Sequence, residues 1–414
     1  MTGLLRGNRD FGRFWWGQAL SALGSRISDI CLPLLLLHLT GSAVAAGGLA
    51  TVRLVVLNVA RLPAGVLADR WRRRTVMIRV DLVKAVLWAG PAVMLATGAR
   101  AVWPLLLIAG LDGLVSSVYN PSLGGALRAL VGSDQLTRAV SLNETRTYAA
   151  GLLGPAIGGA LFALWPWAPF VLDVATFVAC AVLVAGIGGD LGGGAPRSAG
   201  GMLADIGTGL RFVAGQPFLR VVTVWSSVLN FATAGAFFGL VPMLRAHGTT
   251  PTLIGVLAGT VSVGALVGAA LAPRLVTDRP YTAVLTSGVG AVAVTTFVAV
   301  APYPVPTAVG LALLSAMGPV LVIALTAHTY RLVPDDLMGR AQSSMTLIGS
   351  VLYPFAFVTM GWLLQRFGPQ AGYGTMAACL GLCAALCTVG PVRAQLTAPA
   401  PAHAGQPLRS RRCA

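Results

Sequence analysis

The chain has 414 residues, of which 56% are hydrophobic and only 10% are charged. Soluble domains carry about 25% charged residues, so this composition argues against a soluble enzyme, a disordered chain and a nucleic-acid-binding domain. It predicts an all-α polytopic membrane protein, because spanning helices satisfy their own backbone groups within a bilayer. Basic cytoplasmic loops that face anionic lipid account for the net charge of +16, and no nucleic acid partner is expected.

Apolar runs bounded by glycine, proline or charge predict twelve membrane-spanning helices. In chain order they cover residues 11–39, 42–68, 75–97, 102–130, 139–164, 168–188, 217–245, 252–272, 281–301, 305–330, 341–365 and 371–392. The longest connection, rich in Gly and Ser, separates six helices from six and contains a predicted amphipathic surface helix over 202–213. We therefore predict an N-terminal six-helix bundle over 1–188, a central linker over 189–216, a C-terminal six-helix bundle over 217–393 and a disordered tail over 394–414.

The placement of arginine predicts the orientation in the membrane, because cytoplasmic loops carry an excess of basic residues. The termini, the central linker and the connections after even-numbered helices hold 21 arginines, whereas the other connections hold three. Both termini and the linker are therefore expected to be cytoplasmic, in a multi-pass protein of the cell (inner or plasma) membrane without an evident cleavable signal peptide. We call the two membrane faces the arginine-rich side and the arginine-poor side.

The two halves of the chain also repeat internally. Residues 130–139 and 332–341 agree at five of ten positions at an offset of 202, and Gly159 corresponds to Gly361 at the same offset. Two six-helix bundles arranged as a parallel repeat are expected to hold a binding site between them near the bilayer midplane.

Residues 65–74, G-V-L-A-D-R-W-R-R-R, resemble the signature of the major facilitator superfamily between helices two and three, although the family often has Gly where this chain has Arg72. The resemblance implies the twelve-helix fold of that superfamily, and an ordinary positive-inside loop is the alternative. Glycine permits close helix packing, and an aspartate can pair with arginines or a helix terminus to latch the two halves. The residues carried over to this conformational motif are Gly65, Asp69, Arg70, Arg73 and Arg74.

Residues 154–159, G-P-A-I-G-G in helix five, resemble the antiporter motif of proton-coupled exporters, although upstream glycines of the family pattern are missing. Proline removes a backbone donor and glycines permit tight contact, so a generic packing face is the alternative. The motif residues are Gly154, Pro155, Gly158 and Gly159. The opening N-R-D-F-G-R-F-W-W-G-Q and the segments 81–85, 172–177 and 334–340 also resemble macrolide-efflux and enterobactin-exporter relatives. This resemblance implies export of a small molecule driven by proton antiport.

Charged residues inside the predicted helices lie almost entirely in the N-terminal half. Each costs roughly 2.5–3.5 kcal/mol at the membrane centre on insertion scales, so each needs a partner, a cavity or a function. A desolvated carboxylate can take up a proton and lose it again when a cargo or cation approaches. We expect Asp29, Asp112 and then Glu144 to carry protons, with Arg26 and Arg146 as basic partners. A static ion pair with Arg26, Arg53 or Arg146 is the alternative for each acid.

Other polar groups in the helices are expected to be structural. Asp81 and Lys84 are three residues apart and are predicted to neutralise each other. Asp173 is predicted to support helix packing near the arginine-poor side, and His328 to be a satisfied polar residue rather than a proton relay.

Recognition of the cargo is expected to be mainly apolar and aromatic, with lipid contact or core packing as the alternative role of the same side chains. The candidates in the N-terminal half share faces of helices one and four, and those in the C-terminal half lie mainly on helix seven. They are Gln18, Tyr119, Asn120, Trp225, Asn230, Phe231, Phe237, Phe238 and Tyr353.

Together these patterns predict a secondary active transporter and not an enzyme, because no nucleophile with its base, no HExxH cluster and no phosphate-binding loop occurs in the sequence. The favoured function is proton-coupled efflux of a lipophilic drug, antibiotic or secondary metabolite, siderophores included, by alternating access. We expect no cofactor and no metal, with the proton gradient as driving force, a small lipophilic substrate, protons and the bilayer as partners, and a monomer. The alternatives are a proton-coupled uptake permease for a small nutrient and, more remotely, a membrane-embedded lipid-handling scaffold.

Overall fold

The computed structural model describes residues 7–131, 135–192, 202–275, 280–333 and 338–389, and for some helical residues it describes only the backbone. These ranges are almost entirely helical. The helices are α1 Arg9–Thr40, α2 Ala43–Arg70, α3 Arg73–Thr97, α4 Trp103–Leu130, α5 Leu136–Leu164, α6 Ala168–Ala185, α7 Met202–Gly215, α8 Pro217–Ala246, α9 Pro251–Leu275, α10 Pro280–Val300, α11 Pro304–Leu332, α12 Met338–Gly349 and α13 Phe355–Thr388.

Ten of the predicted spans each correspond to one helix, α1–α6 and α8–α11, with ends within a few residues of the prediction. Helix α7 confirms the short helix predicted within the central linker. Proline stands at the first or second position of α4, α6, α8 and α11, where its missing N–H costs no hydrogen bond.

The last two predicted spans differ from the structure. The span predicted over 341–365 is interrupted between α12 and α13, because Pro354 cannot continue the helical hydrogen bonds of α12. After Pro354, α13 runs for 34 residues but bends at Gly368, just before Pro369. The φ of Gly368 is +83°, a backbone conformation that favours glycine. A straight helix of that length would measure about 51 Å, longer than a bilayer core requires, and the bend divides α13 into two limbs that correspond to the end of the eleventh predicted span and to the twelfth.

Nine stretches of the described residues are long and apolar enough to cross a membrane, and α10 contributes a shorter apolar stretch, Val284–Val300. The protein is therefore a multi-pass membrane protein. Besides α10, two helices that correspond to predicted spans are not among these nine stretches. They are α4, which carries an internal aspartate, and α12, which supplies only the first part of the eleventh predicted span.

Helix pairing repeats between the two halves. In the first half α1 packs on α6, α2 on α4, and α3 on both α4 and α6. In the second half α8 packs on α13, α9 on α11, and α10 on both α11 and α13. The same architecture is thus built twice, as the internal repeat predicts. The domain boundaries at residues 188, 216 and 393 stay predictions.

The buried core is shared by the halves on one side of the membrane and divided on the other. The largest cluster of buried apolar side chains draws residues from both halves near the arginine-poor side. Nearer the arginine-rich side, one cluster belongs to the second half alone and two belong to the first half alone. The halves are therefore packed together on the arginine-poor side and have separate cores on the arginine-rich side.

Candidate functional site

Hydrogen bonds between the halves reinforce the closed, arginine-poor side. The Ser42 hydroxyl donates to Gln365 Oε1 at 2.9 Å, and the backbone N–H of Val44 donates to the same oxygen at 3.4 Å. The Thr51 hydroxyl donates to the carbonyl oxygen of Pro354 at 2.8 Å. These bonds join the first turns of α2 to the α12–α13 turn and to the first limb of α13.

Glycines let α2 and α13 touch through their backbones at this closed side. A Cβ atom on Gly47 would overlap the carbonyl oxygen of Phe357, and one on Gly361 would overlap that of Ala43. Any larger residue at either position would force the helices apart.

A second, matching contact joins α5 and α9. A Cβ atom on Gly255 would overlap the carbonyl oxygen of Pro155, and one on Gly159 would overlap that of Pro251. Each member of this contact lies 208 or 202 residues from its counterpart in the α2–α13 contact. The closed side is thus made by one contact used twice, and we call these two pairs the glycine contacts.

Helix α5 also uses glycine on its other face. A Cβ atom on Gly154 would press on the side chain of Arg26, and one on Gly158 would press on Ile30 and Cys31. The predicted motif Gly154–Gly159 therefore packs against α1 with one face and against α9 with the other. This places it between the two halves and beside Arg26.

A continuous series of ion pairs runs through the first half, and we call it the charge chain. It consists of Arg26, Asp29, Arg53, Asp112 and Lys84. Arg26 and Arg53 each place a guanidinium nitrogen 3.5 Å from a different oxygen of Asp29. Arg53 Nε donates to Asp112 Oδ2 at 2.6 Å, and Lys84 Nζ lies 3.9 Å from Asp112 Oδ1.

The two acids of the charge chain lie in different environments. The side chain of Asp29 is 39% exposed, whereas that of Asp112 is 1% exposed. Asp112 also accepts a hydrogen bond from the indole N–H of Trp88 at 3.2 Å. The close approach of α4 to α2 at Gly113, where a Cβ atom would overlap the carbonyl oxygen of Arg53, brings Arg53 within reach of Asp112.

The exposed end of the charge chain opens into a cavity of about 320 Å³ between the halves. Arg26 and Asp29 form its wall on the first half, and Ser262 and Ser315 belong to its wall on the second half. Tyr353, on the turn before α13, lies within electrostatic reach of Asp29, Arg26 and Arg53. The cavity therefore joins a charged wall to a neutral one.

Other polar residues of the first half form a separate buried cluster. Gln18 Nε2 donates to the Tyr119 hydroxyl at 2.6 Å, and that hydroxyl donates to Asp81 Oδ2 at 3.3 Å. Cys180 Sγ lies 3.4 Å from Gln18 Nε2, and the charge of Arg146, itself buried, acts on this thiol. Gln18 and Tyr119, expected to contact cargo, are therefore enclosed within the first half in this state.

The expected pairing of Asp81 with Lys84 is wrong for the described structure. Lys84 lies nearest Asp112, and its ammonium group stands 5.5 Å from the Tyr119 ring centroid, while Asp81 accepts a bond from the hydroxyl of the same tyrosine. Helical spacing allowed the pair, but a second carboxylate on α4 competes for the cation. Asp173 is fully buried and accepts a hydrogen bond from Ser28 at 2.5 Å, in keeping with its expected role in packing α6 on α1.

The aromatic candidates of the second half fall into two groups. Tyr353 and Phe238 each pack edge-on against Phe357, with ring centroids 5.5 Å apart, and Phe231 and Phe237 pack on the shared core. Trp225 instead lies in the core of the second half. Asn230 donates to the Gly349 carbonyl at 3.0 Å and so holds the end of α12.

The structure describes part of the conformational motif, which runs from the end of α2 into the start of α3. Arg73 donates to the Leu191 carbonyl at 3.1 Å and Arg74 to the Gly189 carbonyl at 2.9 Å, so both bind the chain just after α6, within their own half. The predicted residues whose side chains lie outside the described part of the structure are Gly65, Asp69, Arg70, Asn120, Glu144 and His328.

Sequence reasoning named Arg53 as an alternative ion-pair partner of the acids but did not show that it joins two of them, and it missed the partner glycines Gly47 and Gly255. Arg53 was visible as a membrane charge, but its sequence position does not show which carboxylates it meets. The glycine pair could have been found by extending the repeat at an offset of 208.

Several proteins to which the chain is similar are named efflux proteins. The chain is 28% identical over 368 residues to the multidrug efflux pump Tap of Mycolicibacterium fortuitum, which covers 84% of this chain and 88% of that protein. It is 25% identical over 176 residues to macrolide efflux protein A of Streptococcus pyogenes, covering 42% of this chain. The latter match spans only 44% of that relative's length.

Solved transporter structures share the fold. A bacterial homologue of the iron transporter ferroportin in its inward-facing state superimposes with a TM-score of 0.72 at 18% identity, over 94% of this chain and 99% of that one. Its outward-facing state, with soaked iron, gives 0.56 over 91% of this chain and 98% of that one. Residues 6–390 match the profile of the transmembrane secretion effector family. The chain therefore belongs to the transmembrane secretion effector family, a group of multi-pass transporters of the major facilitator type.

Proposed function

We propose that this transporter exports a lipophilic compound in exchange for protons, with Asp29 as the group that exchanges the proton. The observation that carries the proposal is the position of Asp29, which is both on the wall of the central cavity and in the charge chain that leads to buried Asp112. The efflux proteins among the relatives support outward transport.

The two acids suit different tasks. Asp112 is buried and engages Arg53, Lys84 and Trp88, so losing its charge would leave two cations uncompensated. Asp29 is exposed to the cavity and its ion pairs are long, so its charge can be neutralised by water-borne protons at a smaller cost. We therefore assign proton exchange to Asp29 and the role of fixed counter-ion to Asp112.

Exchange then follows from charge balance. With Asp29 ionised, the cavity wall offers a carboxylate to a cationic or polar group of the cargo. With Asp29 protonated, Arg26 and Arg53 dominate the same wall, and they repel that group. A proton taken up on the arginine-poor side would thus release a cargo collected on the arginine-rich side.

Alternating access accounts for the two-sided packing. The halves are closed at the glycine contacts and have separate cores on the arginine-rich side, which the arginine distribution predicts to be cytoplasmic. The higher TM-score against the inward-facing state than against the outward-facing state supports an inward-open arrangement.

The proposed cargo is a large, mainly apolar compound. Val261 and Ala265 contribute apolar surface to the cavity beside the two serines, and the aromatic ring of Tyr353 lies close to its charged wall. The macrolide efflux protein and the multidrug efflux pump among the relatives support this class. We propose a plasma-membrane location with cytoplasmic termini, a monomer, and no cofactor.

A susceptibility panel followed by vesicle transport tests the proposal. An efflux-deficient host expressing the protein should tolerate higher concentrations of a macrolide or of a lipophilic cation such as ethidium. In proteoliposomes with an acidic interior, the resisted compound should accumulate inside while protons leave. Protons moving in the same direction as the compound would instead establish the uptake permease, and transport unaffected by collapsing the pH difference would refute coupling.

A further inference from the structure

An apolar groove on the second half lies between α8 and the last limb of α13, apart from the central cavity. Its volume is about 480 Å³, and it is lined by Arg220, Val221, Val224, Trp225, Val228, Cys379, Leu382, Cys383, Leu386 and Cys387. Trp225 is buried at 4% exposure, whereas Leu382 at the rim is 65% exposed. In a membrane protein, apolar side chains that are this exposed contact lipid hydrocarbon.

The corresponding helix pair of the first half packs closely at the equivalent position. There α1 lies directly against α6, because Gly17 packs on Cys180 and Leu183. Helices α1 and α8 begin 208 residues apart, and the same spacing relates Gly17 to Trp225. A tryptophan stands in α8 where α1 has a glycine, and its side chain forms part of the groove lining.

The groove has one charged residue, and it lies at the membrane boundary. Arg220 is in the first turn of α8, directly after surface helix α7, and Cys387 is in the last turn of α13. The arginine therefore stands at the arginine-rich interface, with the apolar lining extending from it toward the bilayer centre. A guanidinium group at that level matches a phosphate oxygen in both charge and geometry.

We propose that the groove binds one anionic phospholipid of the arginine-rich leaflet, with its phosphate on Arg220 and an acyl chain against Trp225 and Cys383. An anionic headgroup supplies the charge that Arg220 lacks within the groove, and a single acyl chain matches an elongated lining with no other charged side chain. This site is independent of the proposed proton exchange.

Photo-crosslinking in nanodiscs tests the proposal. The probes are phosphatidylglycerol and phosphatidylcholine, each carrying a diazirine in the acyl chain, and adducts are mapped by mass spectrometry of peptides from α8 and α13. We expect about fivefold more adduct from phosphatidylglycerol at Trp225 and Cys383, the value for one cation near a membrane surface. The Arg220→Gln variant should lose this preference.

The matched control is Arg79→Gln, which removes another exposed arginine, from α3 of the other half. This variant should keep the preference for phosphatidylglycerol, because it lowers the net charge of the protein without changing the groove. An equal preference in both variants, or adducts spread evenly over all lipid-facing helices, would overturn the site. Displacement of the groove adduct by a macrolide but not by phosphatidylglycerol would assign the groove to cargo and overturn lipid binding.

Discussion

The two halves share a helix-pairing pattern but differ in what their interiors contain. The spacing that relates Gly47 to Gly255 also relates Arg53 to Val261, and the spacing that relates Gly159 to Gly361 relates Asp112 to Leu314. Where the first half has an ion pair, the second half therefore has two aliphatic side chains. Charged residues of the second half lie in connections, near helix ends and beside the α13 bend.

This difference separates two requirements of a coupled transporter. Closing the arginine-poor side uses two equivalent contacts between the halves, and both halves contribute glycines to them. Holding a proton needs charge inside the membrane, which is expensive wherever it occurs. The first half carries this energetic cost, whereas the second half supplies a neutral wall for the cargo.

The largest effect should come from breaking the charge chain at its buried end. Asp112→Asn leaves Arg53 and Lys84 without a full counter-charge, which should destabilise the protein by about 3 kcal/mol and abolish transport. The measurement is the thermal unfolding midpoint in detergent, together with vesicle transport.

A double variant that copies the second half sharpens this result. Arg53→Val combined with Asp112→Leu removes the tight ion pair from both sides, so it should unfold at a higher temperature than Asp112→Asn while transport remains lost. If the double variant is the less stable of the two, charge compensation is not what holds α2 on α4.

One of the glycine contacts can be disrupted by adding a single methyl group. Gly47→Ala should disfavour the closed arginine-poor side by about 1–3 kcal/mol, because the new Cβ would overlap the Phe357 carbonyl. The population should shift toward the outward-open state, detected as faster alkylation of a cysteine placed at Ser42.

Gly48→Ala is the matched control for this variant, since nothing lies within 4 Å of a Cβ atom added there. It should leave the alkylation rate unchanged. Equal rates in the two variants would show that the backbone contact does not set the equilibrium between states.

A smaller effect is expected from the polar clasp beside the glycines. Gln365→Ala removes the acceptor of Ser42 and Val44, each a bond of about 0.5–1.5 kcal/mol at most. Alkylation of a cysteine placed at Thr40, which neighbours the clasp, should be measured in both variants and should rise by less in Gln365→Ala than in Gly47→Ala. A larger rise than in Gly47→Ala would make the clasp, not the glycines, the principal closure.

Much of this architecture was predictable from sequence because long apolar runs indicate membrane helices. Ten helices and the short linker helix followed from composition and periodicity. The bend at Gly368 falls in the connection predicted over 366–370, but the break at Pro354 was not predicted, because the apolar run continues through it. Pro354 was visible in the sequence, but whether a proline bends or ends a helix depends on its neighbours in space.

The candidate site was predictable only as a list of costly charges. Asp29 and Asp112 stood out because each is expensive in a membrane, but their connection through Arg53 depends on how closely α2 approaches α4. Lys84 shows the limit most clearly: spacing along α3 favoured Asp81 as its partner, whereas the fold brings Asp112 closer. Trp225 was selected for its aromatic ring, and packing of α8 on α13 decides that it faces a groove rather than the central cavity.

The most direct test of the central claim is to count protons released when cargo binds to purified protein in weakly buffered detergent solution. Measured over a series of pH values, a cationic cargo identified by the susceptibility panel should displace up to about one proton per bound molecule. Asp29→Asn, which mimics the protonated state, should bind the cationic cargo more weakly and release no proton at cargo concentrations that saturate it, while Asp29→Glu should retain release. Equal proton release from the wild-type protein and Asp29→Asn would contradict the account.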